Sequence, residues 1–86
     1  MEPPLRVTFG GITALLLARR LLAASGWEAR VVAAPRGGSP CGMALEVPRP
    51  RLAEALDAFH AAGLSWVDVR TAAGEPVAAG SGSGPG

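Results

Sequence analysis

An α+β sandwich, with two helices on one face of a four-stranded antiparallel sheet, is the fold class this sequence predicts. Three observations predict it. Short runs of alternating apolar and polar residues, the pattern of half-buried strands, occur four times. Two longer runs between them repeat apolar residues every three or four positions, as a helix with one buried face does. A glycine follows each helical run, where a left-handed C-terminal cap belongs, before the next strand begins.

Taken in order, Leu5, Val7 and Phe9 alternate with Arg6 and Thr8 as a first strand, stopped by Gly10 and Gly11. From Ile12 to Ser25, Ala14, Leu15, Ala18, Leu21 and Leu22 fall on one helical face, Arg19 and Arg20 towards the other, and Gly26 caps the end. Trp27 to Ala33 reads as a second strand. Ala34 to Gly42 is a loop, punctuated by Pro35, Gly37, Gly38, Pro40 and Gly42. Met43 to Val47 is a third strand, stopped by Pro48. Pro50 suits the first turn of a second helix, whose Leu52, Ala55, Leu56 and Phe59 form a narrow core stripe, with Arg51, Glu54 and Asp57 outward. After Gly63, Trp66 to Arg70 is a fourth strand. Residues 1–73 are thus expected to form one domain, and the Gly-, Ser- and Pro-rich residues 74–86 a disordered tail.

The order strand-helix-strand-strand-helix-strand, with a faint echo of Ser25-Gly26-Trp27 in Ala62-Gly63 and Trp66, is that of a ferredoxin-like sandwich. In that topology the first two strands run parallel. The end of the first strand, the start of the first helix and the loop before the third strand then share one edge, which brings Gly10 to Thr13 near Pro35 to Gly42.

Composition narrows the function. Eighty-six residues, 49% of them apolar and 17% charged, make one small domain and exclude large catalytic clefts and any dinucleotide-binding fold. Eight Arg against seven acidic residues leave a net charge of +1, without the clustered basic excess of a phosphate-backbone binder. Seventeen Ala, twelve Gly and no Lys, Asn, Gln or Tyr suggest a coding bias, so a single Ala or Arg carries less information than usual. The lone Cys41 allows no intramolecular disulfide and no multi-cysteine metal site, and suits a reducing cytosol. Arg19 and Arg20 interrupt the Leu-rich stretch from Gly10 to Ala24, and Met1-Glu2-Pro3-Pro4 carries no positive charge. A soluble cytoplasmic protein, with no membrane association, is expected.

Cys41 is the one nucleophile of note. Arg36 and the first helix N-terminus at Gly11, Ile12 and Thr13 both favour an anion there. Gly42 lets backbone amides approach the sulfur, and Ser39 either donates to it or stabilises the turn. Such a thiol titrates below the ordinary value of about 8.5. The alternative is a small, half-covered residue at the start of a strand, and the residues alone leave both readings open. His60, the only histidine, stands at the edge of the core stripe with no second ligand at a metal-like spacing. Glu54 and Asp57 read as a solvated face. No metal, cofactor or serine nucleophile is expected.

The open sheet face is expected to carry Arg6, Thr8, Glu28, Arg30, Glu46, Trp66, Asp68 and Arg70. With at most one aromatic and mixed charge, it does not suit RNA. It suits weak self-association or a partner protein instead, with Trp66 as anchor and Arg30 and Arg70 beside it.

The stretch Pro35-Arg36-Gly37-Gly38-Ser39-Pro40-Cys41-Gly42-Met43-Ala44-Leu45, after a short strand, helix and strand, resembles the selenium/sulfur carrier-like family, small bacterial and archaeal proteins described as a domain of unknown function. Members carry a Pro-Arg pair, a short Ser-rich loop, then Cys-Gly and an apolar strand. The likeness spans about Leu5 to Thr71. Here Pro40 stands where relatives usually have Ser, the loop is one residue shorter, and Gly10-Gly11 precede the helix. The resemblance implies a carrier, not an enzyme. Cys41 would hold sulfur or selenium as a persulfide or selenylsulfide, received from a cysteine desulfurase-like donor and passed to an acceptor protein. A non-catalytic interaction module pairing through the open sheet face, and a redox sensor forming a mixed disulfide, are the other readings.

Overall fold

A computed structural model describes residues 3–26, 29–34 and 42–79 of the chain. The elements are β1 (Leu5–Thr8), α1 (Ile12–Ala24), β2 (Arg30–Ala33), β3 (Met43–Val47), a 3-10 turn (Arg49–Arg51), α2 (Leu52–Ala61), β4 (Asp68–Arg70) and β5 (Pro76–Ala79). The α+β class holds: the described residues form two α-helices and a sheet of five antiparallel strands in the order β2-β3-β1-β4-β5.

Strand alternation builds the core. The register aligns Val31, Leu45, Val7, Val69 and Ala78 in one cross-strand row. The same cluster takes in Leu15, Ala18 and Leu22 of α1 and Ala55 and Phe59 of α2, so both helices cover that face. Each large apolar side chain buried there contributes roughly 1.5–3 kcal/mol. Phe9, just past β1, meets Phe59 edge-on, with ring centroids 5.7 Å apart and planes at 72°. A Schellman motif ends α2. Gly63 N–H donates to the His60 carbonyl at 3.0 Å and Leu64 N–H to that of Phe59 at 2.8 Å.

Three expectations need correction. Pro50 lies in the 3-10 turn before α2, not in the first turn of the α-helix. Trp66 is 8% exposed and belongs to the core, not to the open face. The reason is that β4 begins only at Asp68. Leu64 to Val67 precede the ladder, so the alternation that would send Trp66 the same way as Asp68 does not apply there.

The sheet also has a fifth strand, where a disordered segment is expected from residue 74. Thr71 to Glu75 form a tight turn closing a hairpin. Thr71 N–H donates to the Glu75 carbonyl at 2.9 Å, and Arg70 Nη1 to the Gly74 carbonyl at 2.8 Å. Gly74 has φ +94°, a left-handed conformation that glycine adopts at little cost, so it is a turn residue and not the start of a linker. Removing residues 74–86 is therefore expected to lower stability by about 1–3 kcal/mol, a few net ladder hydrogen bonds, read as a fall in the urea midpoint. An unchanged midpoint would show that β5 adds nothing. Residues 80–86 lie outside the described residues.

Candidate functional site

β1 and β2 both pair antiparallel with β3, so they run in the same direction. Their C-terminal ends meet the start of β3, with Thr8 opposite Ala44 and Ala33 opposite Met43. α1 begins just after β1, at the same end of the sheet. Gly11 is its N-cap, in extended backbone, with no side-chain capping hydrogen bond and no acidic residue in the first turn. Leu15 N–H donates to the Gly11 carbonyl at 3.2 Å and closes that turn. Ile12 and Thr13 are exposed. An uncapped N-terminus of this kind presents free amides and the positive end of the helix dipole.

Gly42 stands at the mouth of the β2–β3 connection. Its carbonyl accepts from Ala34 N–H at 3.0 Å, which closes the ladder where the connection leaves the sheet. It is exposed and has φ +74°. A Cβ there would meet nothing within 4 Å, so backbone conformation, not crowding, favours glycine. The structure thus brings Gly42, Gly11, Ile12 and Thr13 to one end of the sheet. Cys41, Arg36 and Ser39 lie outside the described residues.

The open face is a network of charges. Glu46 lies between Arg6 at 3.4 Å and Arg30 at 3.9 Å. Asp68 accepts from the Thr8 hydroxyl at 2.6 Å and from Arg70 Nε at 2.9 Å. Arg6 Nε is buried with no hydrogen-bond partner among the described residues. Arg30 and Arg70 share the cross-strand row that runs through Glu46 and Arg6. Trp66 is not with them, and Arg70 is engaged by Asp68 and Gly74. Glu28 lies outside the described residues. Thr8, placed on this face by the alternation, is fully buried under the network.

His60 is exposed in the last turn of α2, and exposed Arg51 pairs with exposed Glu54 at 3.5 Å. Among the described residues no group of three or more His, Cys, Asp and Glu is placed to hold a metal ion, and no helix is long and apolar enough to cross a membrane.

The sequence reading missed a groove beside β2, lined in part by Leu16, Leu17, Arg19, Arg20, Arg30 and Val31. Its signal lay in α1, which has more large apolar residues than one buried stripe can hold. Leu15 and Leu22 fill the core while Leu16 and Leu17 stay about half exposed. Comparison of the chain with protein-family models, with curated proteins and with solved structures finds no match.

Proposed function

We propose that this protein is a small cytoplasmic sulfur or selenium carrier that holds the chalcogen on Cys41 as a persulfide or selenylsulfide. The observation that carries the reading is the shared sheet end. Gly42, the residue after Cys41, opens β3 at the same end as the uncapped N-terminus of α1. A persulfide is anionic near neutral pH, and free helix amides favour an anion. The Cys41 thiolate attacks the outer sulfur of a donor's persulfide. The donor's S–S bond breaks, its thiolate leaves, and a new S–S bond forms on Cys41, with no net oxidant needed. The selenium case follows the same exchange.

The strand order β2-β3-β1-β4, with helices after β1 and β3, supports a ferredoxin-like reading of the first four strands, to which β5 adds an edge. The second reading, a module pairing through the open sheet face, is weakened by the burial of Trp66, its aromatic anchor.

Iodoacetamide alkylation followed from about pH 5 to about pH 10 tests the site. The Cys41 midpoint is expected below the ordinary thiol value of about 8.5, and Arg36→Ala is expected to raise it part of the way back. The helix-end contribution of about 0.3–1 kcal/mol survives that substitution. A midpoint at or above the ordinary value, unmoved by Arg36→Ala, leaves Cys41 an unremarkable strand-start residue and favours the interaction module.

A further inference from the structure

Among the described residues, β2 is the last strand on its side of the sheet. Ala34 N–H donates to the Gly42 carbonyl, which makes residues 34 and 42 a hydrogen-bonded pair of the antiparallel ladder. Such pairs alternate, so Val32 and Arg30 also turn their backbone groups towards β3, and Val31 and Ala33 turn theirs to the outer edge. A free edge of this kind is a template for another strand.

Beside that edge, between α1 and β2, runs a groove of about 860 Å³. Leu16 and Leu17, 45% and 48% exposed, and half-buried Val31 give it an apolar floor. Arg19, Arg20 and Arg30 line it as well, and no described lining residue is acidic. Arg19 and Arg20 form no ion pair among the described residues. Arg30 reaches Glu46 only at 3.9 Å, with its side chain 79% exposed, so it is barely committed.

We propose that this groove takes an extended acidic segment of a partner protein, added as a strand to the edge of β2. Main-chain hydrogen bonds to Val31 and Ala33 hold the segment in register. Side chains of an added strand alternate. One set turns to the helix side, where apolar side chains rest on Leu16, Leu17 and Val31 and carboxylates meet Arg19 and Arg20, and the other set turns to the open face, where a carboxylate meets Arg30. A second copy of this chain is a poorer occupant, because pairing β2 with β2 brings like-charged arginines together. A bilayer is poorer too, since it offers no backbone partner to Val31 and Ala33.

The test titrates the full chain with a fluorescein-labelled short peptide of Glu-Glu-Val-Val repeats, so that each face of the added strand carries both residue types, with the corresponding Lys and Val peptide as charge control and anionic phospholipid vesicles as a third arm. The Glu-containing peptide is expected to bind saturably, more weakly as salt rises, with amide NMR shifts centred on Val31 and Ala33. The Lys-containing peptide does not bind, and the vesicles leave the protein in solution. The double variant Arg19→Glu with Arg20→Glu weakens binding about tenfold, two exposed charge contacts reversed. Leu17→Asp removes saturable binding. Thermal melts matching wild type show that these surface variants fold. Cys41→Ala binds as wild type does, so this surface stands or falls apart from the carrier reading. No binding of the Glu-containing peptide, equal binding of both peptides, or capture by the vesicles in place of the peptide overturns the proposal.

Discussion

Replacing Phe59 by alanine is expected to cost about 3–5 kcal/mol, the usual range for truncating a buried aromatic. Phe59 is fully buried, sits on the inner face of α2 and meets Phe9 edge-on at 5.7 Å. Truncation leaves a void between α2 and the end of β1, and close-packed neighbours collapse into it only partly. Domains are stable by only about 5–15 kcal/mol, and small ones sit at the low end, so the loss takes most of what is available. Urea unfolding followed by far-UV circular dichroism measures it. His60→Ala, one residue along and exposed, is the control and is expected within about 0.5 kcal/mol of wild type. Equal midpoints for the two variants would mean that α2 does not pack through Phe59.

Trp66→Ala is the second large effect, also about 3–5 kcal/mol. The indole is 8% exposed and belongs to the cluster that joins both helices to the sheet. A core residue and an interaction anchor respond differently to truncation. Loss of the core residue lowers the urea midpoint and leaves the sedimentation of the folded fraction unchanged. Loss of an anchor changes sedimentation and leaves the midpoint nearly alone. The burial predicts the first pattern, and the second would restore Trp66 to the surface.

Much of this fold was legible because local signals agreed with one another. β3 runs from Met43 to Val47 as predicted, since its alternation is bounded by Gly42 and Pro48. α1 ends one residue short of its predicted limit, before Gly26. What failed depended on partners distant in sequence. Nothing local says that β4 starts at Asp68, and an alternation carried back to Trp66 puts the indole on the wrong face. Pro76-Val77-Ala78-Ala79 reads as linker by composition. It becomes a strand because the Thr71–Glu75 turn folds it back onto Asp68–Arg70.

The candidate site divides in the same way. Strand direction alone sufficed to place Gly42 at the same end as Gly11, Ile12 and Thr13, because β1 and β2 both flank β3 antiparallel. The groove at Leu16 and Leu17 was not legible. Helical periodicity says which residues face the core, but not that α1 stands beside a free sheet edge.

The carrier reading is tested most directly by the intact mass of the protein after incubation with a cysteine desulfurase and its substrate, cysteine or selenocysteine. The expected result is a gain of one sulfur or one selenium atom, reversed by a thiol reductant and absent in Cys41→Ala. An unmodified mass, under conditions where the desulfurase demonstrably turns over, contradicts the carrier, as does an equal gain in Cys41→Ala.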